Sequence, residues 1–336
     1  MRLPADKVNK LRGFYEGRRV LVTGGAGFIG GHLCDALVSL GATVAVIDDL
    51  SNSTVEHLAS LIEVESERIR FVQGSILDDE AVADAAEGAQ TVFHLAALGS
   101  VPKSIDYPQR TWSVNATGTV RILEAARNCK AERVVFAASS SVYGDDPRMP
   151  RVETLPTTPM SPYAASKLAG EVLLAVWARC YGLSTVSLRY FNIFGPRQSA
   201  DSAYAAVVAV FARKLIAGES PVIYGDGRQT RDFTYVADAV LGTLLAGASG
   251  QELQGAVMNI GTGRAMSVTQ LARLMAERAG RPTLQPTYEP ERRGDVKHSL
   301  ADFSAARETL GFEPTASIEE GLDETIKWCR SVVAQS

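Results

Sequence analysis

Short apolar segments alternate with helix-like segments through the first half of the chain, and this alternation constrains the fold more than any other feature. The apolar segments read RRVLVTG, TVAVIDD, RIRFVQGSI, TVFHLAA, RVVFAASSS and STVSLRYFN. Strands covered on both faces show near-continuous apolar runs of this kind. Helical patterns such as GHLCDALVSLG and AVADAAEG lie between them. The pattern therefore predicts an α/β fold built on a doubly wound, parallel Rossmann sheet.

The pattern changes after Asn192, where helix-like segments mix with shorter strands. We predict a Rossmann domain over residues 1–191 and a smaller α/β substrate domain over most of 192–336. A later stretch near 233–262, which includes AVMNIGTG, is a candidate to return to the first sheet. The residues before Arg18 are expected to form a short helix packed on the surface.

Charge and composition exclude several classes of function. A net charge of -4 over 336 residues argues against a general nucleic-acid binder, which needs a basic face. No apolar run has the length that crosses a bilayer, and the N-terminal stretch lacks the apolar core of a secretory signal. The four cysteines and four histidines show no metal-ligand spacing. We therefore expect a cytoplasmic protein with reduced cysteines and no metal site.

A glycine-rich turn, TGGAGFIG at 23–30, follows the first strand and opens the next helix. Gly24, Gly27 and Gly30 allow a tight turn, close approach of the backbone to phosphate, and close packing of helix on strand. The helix N-terminus then offers N–H groups and a positive dipole end to a pyrophosphate. Asp48 ends the next strand, at the spacing of a ribose-binding carboxylate. Because a carboxylate repels a 2′-phosphate and no arginine follows closely, the motif predicts NAD rather than NADP.

A second motif places Tyr163 and Lys167 one helical turn apart on the same face. That spacing alone is common by chance, so its context matters. The preceding strand, RVVFAASSSVYGD, carries Ser139 and two further serines at its carboxyl end. Ligands of doubly wound sheets bind outside the carboxyl ends of the strands. We therefore predict that Ser139, Tyr163 and Lys167 form an alcohol-oxidising site.

The chemistry of alcohol oxidation explains these residue types. Removal of hydride from a secondary alcohol requires removal of its hydroxyl proton as well. A free tyrosine has a pKa of about 10, so roughly a thousandth of it is ionised at neutral pH. A neighbouring ammonium and a positively charged nicotinamide favour the phenolate. The motif thus suits Tyr163 as the base, with Lys167 beside it and Ser139 holding the substrate oxygen.

Five motifs occur in order: TGGAGFIG, HLAA at 94–97, ASSSVYGD, SPYAASK and LRYFNIFGPRQ. From about Arg18 to Trp328 the chain resembles the extended short-chain dehydrogenase/reductase family, and within it the NAD-dependent nucleotide-sugar 4-epimerases. The resemblance implies a Rossmann domain that binds NAD and a C-terminal domain that grips a nucleotide diphosphate. It also implies transient oxidation at sugar C4, turning of the 4-keto sugar in the site, and return of the hydride to the other face.

The resemblance assigns residues to each subsite. Tyr163 is implied as the base, Lys167 as its electrostatic and ribose-binding partner, and Ser139 as the ligand of sugar O4. The implied cofactor-binding residues are Gly24, Gly27, Phe28, Ile29, Gly30, Asp48, Asp49, Ser75, Ile76, Leu95, Ala96, Ala97, Tyr163, Lys167 and Tyr190. The implied substrate-binding residues are Ser100, Ser139, Ser140, Ser141, Asn192, Tyr204, Arg231, Arg292, Asp295 and Ser299. At Ser75 many relatives have an aspartate that contacts adenine, and serine can still hydrogen-bond there.

Four stretches of the sequence resemble one subgroup of these epimerases, and this resemblance bears on the identity of the sugar. The stretches ALGSVPKSI, SSSVYGDDP, SAYAAVV and GDVKHSLAD are similar to the subgroup that acts on UDP-N-acetylhexosamines. In that subgroup the position of Ser299 borders the C2 substituent, and a bulky residue there blocks an N-acetyl group. The resemblance implies interconversion of UDP-GlcNAc and UDP-GalNAc. Arg231 and Arg292 are implied on the diphosphate, which suits the bidentate guanidinium. Ser104, in the loop that also carries Ser100, is a further candidate to reach the sugar.

Other reactions of the family need other residues just before Val-Tyr-Gly. Dehydratases carry an Asp-Glu pair there and decarboxylases a glutamate, whereas this chain has Ser140 and Ser141. A UDP-uronic acid 4-epimerase, acting on an N-acetylated uronic acid or not, stays open as an alternative, with Arg197 or Lys103 as candidate partners of the carboxylate. A non-catalytic NAD-binding regulator is the alternative of a different class, because a fold alone does not establish activity.

Members of this family commonly dimerise by packing two helices from each Rossmann domain into a four-helix bundle. The resemblance implies a homodimer here, with helices 102–129 and 162–181 as the candidates. Leu173, Val176 and Trp177 are available for such an interface, although the same side chains could fill the core of the monomer.

Overall fold

The computed structural model describes residues 4–199, 206–291 and 296–334. Its strands are, in chain order, β1 (Arg19–Thr23), β2 (Thr43–Asp48), β3 (Ile69–Gln73), β4 (Thr91–His94), β5 (Arg133–Ser139), β6 (Ser184–Tyr190), β7 (Ile193–Phe194), β8 (Val222–Tyr224), β9 (Thr230–Arg231), β10 (Thr234–Tyr235), β11 (Ala256–Ile260), β12 (Met266–Ser267) and β13 (Thr287–Glu289). Its helices are α1 (Ala5–Tyr15), α2 (Phe28–Ser39), α3 (Glu56–Val64), α4 (Asp79–Ala86), α5 (Val101–Asp106), α6 (Pro108–Trp112), α7 (Gly118–Asn128), α8 (Pro162–Tyr181), α9 (Val207–Ile216), α10 (Val236–Gly247), α11 (Val268–Arg278), α12 (Ser304–Leu310) and α13 (Ile318–Val333). A π-helical segment, Ser113–Thr117, joins α6 to α7, and a 3₁₀ turn, Ser140–Tyr143, follows β5.

Seven strands form one parallel sheet, in the order β3-β2-β1-β4-β5-β6-β11. The order reverses between β1 and β4, which makes a crevice for ligands at the carboxyl ends of these strands. The apolar runs become strands because helices cover both faces of the sheet. The predicted α/β fold with a doubly wound parallel sheet is confirmed.

The two faces of the sheet carry separate apolar clusters. One cluster packs α2 and α10 against the sheet and includes Leu33, Phe93 and Leu244. The N-terminal helix α1 joins this cluster, because Leu11 and Tyr15 are buried and the Tyr15 hydroxyl donates to the Leu244 carbonyl at 2.7 Å. The other cluster packs α4, α7 and α8 on the opposite face. The sequence predicts a short helix packed on the surface before Arg18, and Leu11 and Tyr15 are the side chains that pack it.

Helices α9, α11 and α13 pack around their own cluster, which includes Phe211, Leu271 and Leu322. The short pairs β7–β10, β8–β13 and β9–β12 accompany these helices. Strand β11 lies beside β6 in the large sheet, so the stretch proposed to return there does contribute a strand. None of the described helices combines the length and apolar character that crossing a bilayer requires.

Candidate active site

The glycine-rich turn between β1 and α2 has the geometry that its sequence predicts. Gly24 has a φ of +71°, and a Cβ added there would lie 2.8 Å from the backbone of Ala96. A Cβ added at Gly30 would overlap the carbonyl oxygen of Gly24. Gly27 stands at the N-cap of α2 and supplies no side-chain cap to the first-turn amides. The turn therefore presents uncapped backbone donors beside a cleft, as anion binding requires.

One cleft collects most of the cofactor residues that the resemblance implies. The predicted residues that line it are Gly24, Gly27, Phe28, Ile29, Gly30, Asp48, Asp49, Ser75, Ile76, Leu95, Ala96 and Ala97. The cleft is also lined by residues that the sequence did not single out, namely Ile47, Ser51, Asn52, Ser53, Gly74, Leu98, Gly99, Val114 and Ala137. Several of these lie just past the carboxyl ends of strands, and that position was the signal that could have found them.

Asp48 fits a dinucleotide while also holding the turn together. Its Oδ2 accepts from the Ala26 amide at 3.0 Å, and its Oδ1 accepts from the Leu50 amide at 2.9 Å and the Ser53 hydroxyl at 2.7 Å. A carboxylate has about four acceptor sites, so this set leaves one for a ribose hydroxyl. The donor turn, the carboxylate and the cleft between them match the requirements of NAD.

Tyr190, also implied as a cofactor-binding residue, is not among the residues that line the cofactor cleft. Its hydroxyl is 2.6 Å from Thr243 Oγ1, and its side chain is buried in the core. The position is still informative, because Tyr190 pairs in register with Ser139 at the ends of β6 and β5. The implied contact of Tyr190 with the cofactor is therefore unavailable to its hydroxyl, which is committed to the core.

Helix α8 carries the phenol and the amine. Pro162 opens the helix, the Ser161 side chain accepts from the Ala164 amide at 3.1 Å, and Gly182 closes it in the left-handed conformation. Lys167 is buried and its Nζ donates to the Ala137 carbonyl at 2.8 Å. Because Ala137 lines the cofactor cleft, the ammonium lies directly behind the wall of that cleft.

Burial dominates the electrostatics of this pair. It lowers the pKa of Lys167 to about 7, against the opposing charge of Glu171. Burial raises the pKa of Tyr163, and a side-chain hydrogen bond with Ser139 acts in the opposite direction. From the motif alone, neighbouring charge is predicted to favour the phenolate. In this structure the desolvation penalty outweighs the favourable hydrogen bond, because a phenolate loses its hydration when it is buried.

Ser139 is oriented by its neighbour in the 3₁₀ turn. Its Oγ accepts from the Ser141 amide at 3.2 Å and from the Ser141 hydroxyl at 2.9 Å. Two donors occupy its lone pairs, so its own proton is left to point elsewhere. Ser139 therefore acts as a donor toward Tyr163 or a substrate oxygen, while Ser141 supports it. Ser140 lies in the same turn, next to both.

A buried ion pair lies one turn beyond Lys167. Both carboxylate oxygens of Glu171 accept from Arg189, at 2.9 and 2.7 Å, and both side chains are 4% exposed. The guanidinium also stacks 4.6 Å from the ring centroid of Tyr143. This bidentate geometry fixes α8 against β6. Removing one partner of such a pair leaves a costly buried charge.

A second cleft lies beyond the end of β6 and contains Asn192 and Arg231. Asn192 has a φ of +37° and its Nδ2 donates to the Asp232 carbonyl at 3.1 Å. Arg231 donates to the Lys297 carbonyl at 3.1 Å. Ser299 follows Lys297 by two residues. It lies close to Arg231, because its amide donates to the carbonyl of the preceding residue, Thr230, at 3.1 Å. Tyr204, Arg292 and Asp295 lie outside the described residues.

Asp232 holds the backbone beside this second cleft. It is fully buried and accepts from the amides of Thr262, Gly263 and Ala301, and from the Thr262 hydroxyl. Burial raises the pKa of its carboxyl group against these hydrogen bonds. Asp232 was not predicted as a site residue, because its partners Thr262, Gly263 and Ala301 lie far along the chain. The bond from the Ala301 amide to Asp232 therefore fixes the backbone two residues after Ser299.

A buried polar network joins β1 to helix α8, and the sequence analysis missed it. His94 Nε2 lies 2.9 Å from Thr119 Oγ1, and its Nδ1 lies 2.8 Å from Thr23 Oγ1. Since Thr119 gives its own proton to the Asn115 carbonyl, Nε2 donates and Nδ1 accepts. Asn115 Nδ2 continues the network to Ser166 on α8 at 3.0 Å.

Ser100 and Ser104 both belong to α5, Ser100 at its N-cap and Ser104 within the helix. Ser100 caps α5, accepting from the Lys103 amide at 3.3 Å. Ser104 is fully buried and hydrogen-bonded to the Val101 carbonyl, so it does not face an open sugar site. A fully buried hydroxyl that already makes two bonds inside the protein does not support Ser104 as a sugar contact.

Comparison with known proteins places these features in one family. The model of the NAD dependent epimerase/dehydratase family matches residues 20–261. The UDP-glucose 4-epimerase of Mycolicibacterium smegmatis is 40% identical over 315 residues, which cover 93% of this chain and 99% of that protein. These matches span the glycine-rich turn, the Ser-Tyr-Lys set and the large sheet.

Two solved structures of UDP-sugar 4-epimerases are similar to this chain over nearly its whole length. A UDP-N-acetylglucosamine 4-epimerase from Methanobrevibacter ruminantium, in complex with UDP-N-acetylmuramic acid, has a TM-score of 0.89 and 38% identity over 96% of this chain and 100% of that one. A UDP-glucuronic acid 4-epimerase from Bacillus cereus, with UDP-glucuronic acid and NAD, has a TM-score of 0.86 and 32% identity over 94% and 99%. The cofactor cleft and these comparisons agree: the chain belongs to the NAD-dependent epimerase/dehydratase family, and its cofactor is NAD.

Proposed function

We propose that this NAD-dependent nucleotide-sugar epimerase inverts C4 of a UDP-sugar, with UDP-GlcNAc and UDP-GalNAc as its substrate pair. The observation that carries the proposal is the position of Ser139, Tyr163 and Lys167. Ser139 ends β5, Tyr163 and Lys167 lie on α8, and Lys167 bonds the carbonyl of Ala137 in the wall of the cofactor cleft. The related proteins described above include 4-epimerases of UDP-glucose, UDP-GlcNAc and UDP-glucuronic acid, which supports C4 of a UDP-sugar as the reacting centre.

The chain's own residues account for the proton in this reaction. NAD, when bound, supplies the acceptor and donor of hydride. Tyr163 accepts the proton of O4 as the C4–H bond breaks, which leaves a ketone at C4. After the sugar turns, Tyr163 returns this proton to O4 as the new C4–H bond forms on the opposite face. Proton and hydride are both returned, so the reaction is an isomerisation with no net redox change.

Lys167 and Ser139 support the phenol in different ways. The Lys167 ammonium lies behind the cleft wall and offsets negative charge that develops on Tyr163. Ser139 donates to the oxygen that carries that charge, because Ser141 already occupies its lone pairs. Donors that are fixed in advance stabilise developing charge more effectively than water does.

Ser299 supports an N-acetylhexosamine as the substrate. Its side chain is small, and its segment is fixed by the bonds of Ser299 to Thr230 and of Ala301 to Asp232. A fixed backbone makes the size of this side chain, rather than movement of the loop, decide which C2 substituent enters. The proposal rests here on the family resemblance of the Ser299 position together with its observed surroundings.

The uronic acid alternative loses one of its two candidate partners. Arg197 Nη1 lies 2.7 Å from Asp35 Oδ2, so its guanidinium is already paired with a carboxylate on α2. Lys103 is exposed on α5. Reaction with only UDP-glucuronic acid or an N-acetylated uronic acid would favour this alternative over the hexosamine.

Substitution of Ser299 tests the choice of substrate. We expect Ser299→Tyr to lower turnover of UDP-GlcNAc about a hundredfold, because an added ring overfills a fixed wall, while turnover of UDP-glucose persists. Ser299→Ala is the matched control and should retain both activities. Chromatographic separation of the C4 epimers gives the measurement. Equal loss of both activities in Ser299→Tyr would contradict the assignment of Ser299 to the C2 pocket.

We also propose that the protein is a cytoplasmic homodimer joined through α7 and α8. Val172 and Val176 are 57% and 40% exposed and lie one turn apart on α8, and Tyr181 at the end of the helix is 53% exposed. Water-exposed apolar side chains aligned along one helix are typical of an interface. Trp177, in contrast, packs on the core and donates to Glu124 at 3.0 Å. The cytoplasmic location is supported by four free cysteines.

A further inference from the structure

Ser104 on α5 makes a contact with the backbone of Tyr163. The Tyr163 amide donates to Ser104 Oγ at 3.1 Å, and the Ser104 hydroxyl donates to the Val101 carbonyl at 2.6 Å. Ser104 is fully buried, so water does not compete for these two bonds. The Ser104 hydroxyl thus accepts a hydrogen bond from the Tyr163 amide on α8 and donates one to the Val101 carbonyl on α5.

The first turn of α8 shows why this contact matters. The first four residues of a helix have no intrahelical partner for their amides. Pro162 has no amide hydrogen, and Ser161 satisfies Ala164 through its side chain and Ala165 through its carbonyl. Tyr163 is the remaining donor of the turn, and its partner comes from a separate element of the chain.

The carbonyl of Tyr163 is held as well. The Ser166 hydroxyl donates to it at 2.8 Å, and Ser166 in turn accepts from Asn115 Nδ2 at 3.0 Å. The Asn115 side chain also bonds the amide and carbonyl of Leu98, at 2.8 and 3.2 Å. Leu98 lines the cofactor cleft. The segment 98–104 is therefore attached to the Tyr163 backbone at two points, one through Asn115 and one through Ser104.

We propose that Ser104 is a positioning residue that fixes the Tyr163 phenol relative to the cofactor cleft. This inference rests on the proposed function, in which Tyr163 is the base. When Ser104 is replaced by alanine, the Tyr163 amide loses its partner and the first turn of α8 is free to shift. A shift of this kind changes the alignment of the phenol with the sugar while leaving the residues of both clefts in place. Proton transfer depends steeply on such alignment.

The test compares Ser104→Ala with two other variants of the full chain. Ser317→Ala is the matched control, because it removes a serine that caps a helix, α13, without contacting α8. We expect kcat of Ser104→Ala for UDP-GlcNAc to fall about tenfold or more, with KM changed less than threefold and bound NAD unchanged. Ser317→Ala should lose thermal stability but keep kcat. A kcat of Ser104→Ala equal to that of Ser317→Ala would overturn the inference, as would a loss confined to KM or to bound NAD.

Tyr163→Phe separates this inference from the proposed function. If the unaltered protein does not interconvert UDP-GlcNAc and UDP-GalNAc, the proposed function fails. If Tyr163→Phe retains turnover, the assigned base is wrong and the inference about Ser104 fails with it. If Tyr163→Phe is inactive and Ser104→Ala is fully active, the inference about Ser104 fails alone. Hydrogen exchange of the unaltered protein gives a measurement that needs no variant. The Tyr163 amide should exchange slowly although it lies in the first turn of a helix, and fast exchange there would contradict the proposed bond.

Discussion

At the scale of single residues, burial rather than sequence spacing decides the electrostatics of the site. Lys167 and Tyr163 stand one turn apart, as the motif predicts. Desolvation lowers the pKa of Lys167 and raises the pKa of Tyr163, so it favours the neutral form of each side chain. The phenolate is therefore disfavoured until charge on the cofactor and the hydrogen bond from Ser139 offset burial. Spacing alone could not reveal this, because it depends on how deeply the sheet and α8 enclose both groups.

His94 gives a prediction about the pH dependence of stability. Burial lowers its pKa to about 3, from 6.5 in an exposed histidine. Below pH 6.5 the unfolded chain binds more protons at this position than the folded protein, so the stability falls as the pH falls toward 3. Between pH 7.5 and pH 5 this difference amounts to about 2 kcal/mol in the free energy of unfolding. We expect His94→Gln to lose this part of the pH dependence.

Urea unfolding at pH 7.5 and pH 5 measures the effect. His298→Gln is the control, because it makes the same substitution at an exposed histidine. The comparison uses the difference between the two pH values, since the substitutions also alter stability at neutral pH. If His94→Gln and the unaltered protein lose equal stability on acidification, His94 is not buried in its neutral form.

The sequence predicted individual residues well where a backbone feature determines them. Gly24 and Gly30 were identified because a turn that tight excludes a side chain, and the structure shows the overlaps that a Cβ would cause. The structural roles of Ser104 and Asp232 were not predicted, since they come from partners distant in sequence. A hydroxyl that bonds to Tyr163 and a carboxylate that bonds to Ala301 leave no local pattern.

At the scale of secondary-structure elements, the long strands follow from the apolar runs, while the short strands do not. The six long runs became β1 to β6, because near-continuous Val, Ile and Phe suits a sheet covered on both faces. The two-residue strands β7, β9, β10 and β12 could not be predicted, since two residues show no periodicity. These short strands nonetheless place Arg231 and Asn192 beside the second cleft.

The turn between β1 and α2 gives a prediction at this scale. We expect Gly30→Ala to abolish bound NAD, because the added methyl group overlaps the Gly24 carbonyl and opens the turn that presents the amides. Gly13→Ala is the matched control, since a Cβ there meets nothing within 4 Å and lies in α1. The measurement is the cofactor content of the purified protein, with folding checked by circular dichroism. Normal NAD content in Gly30→Ala would show that the turn does not bind the pyrophosphate.

At the scale of the whole molecule, the large sheet forms one of the two clefts. The cofactor cleft lies at the carboxyl ends of its strands, whereas the cleft that contains Asn192 and Arg231 is lined by the short strands and helices that follow β6. The sequence indicated the Rossmann sheet and, after Asn192, a change to helix-like segments mixed with shorter strands. The return of β11 to the sheet was only a candidate, because a single five-residue run does not reveal which strand it joins.

The proposed dimer gives a prediction at this scale. We expect Val176→Glu to convert the protein to a monomer, since a carboxylate at the centre of an apolar helix face would be buried without a partner. Analytical ultracentrifugation measures the state of association. Val64→Glu is the control, because Val64 is 75% exposed at the end of α3 and away from α7 and α8. A dimer that survives Val176→Glu would place the interface on another face.

The central claim is that C4 is inverted by transient oxidation on NAD. The most direct test uses UDP-GlcNAc that carries deuterium at sugar C4, incubated with the purified protein without added cofactor. The account predicts UDP-GalNAc that retains deuterium at C4, because the hydride that leaves is the hydride that returns. A product that has exchanged the label for solvent hydrogen would contradict the mechanism. No epimer, even after NAD is supplied, would contradict the proposed substrate.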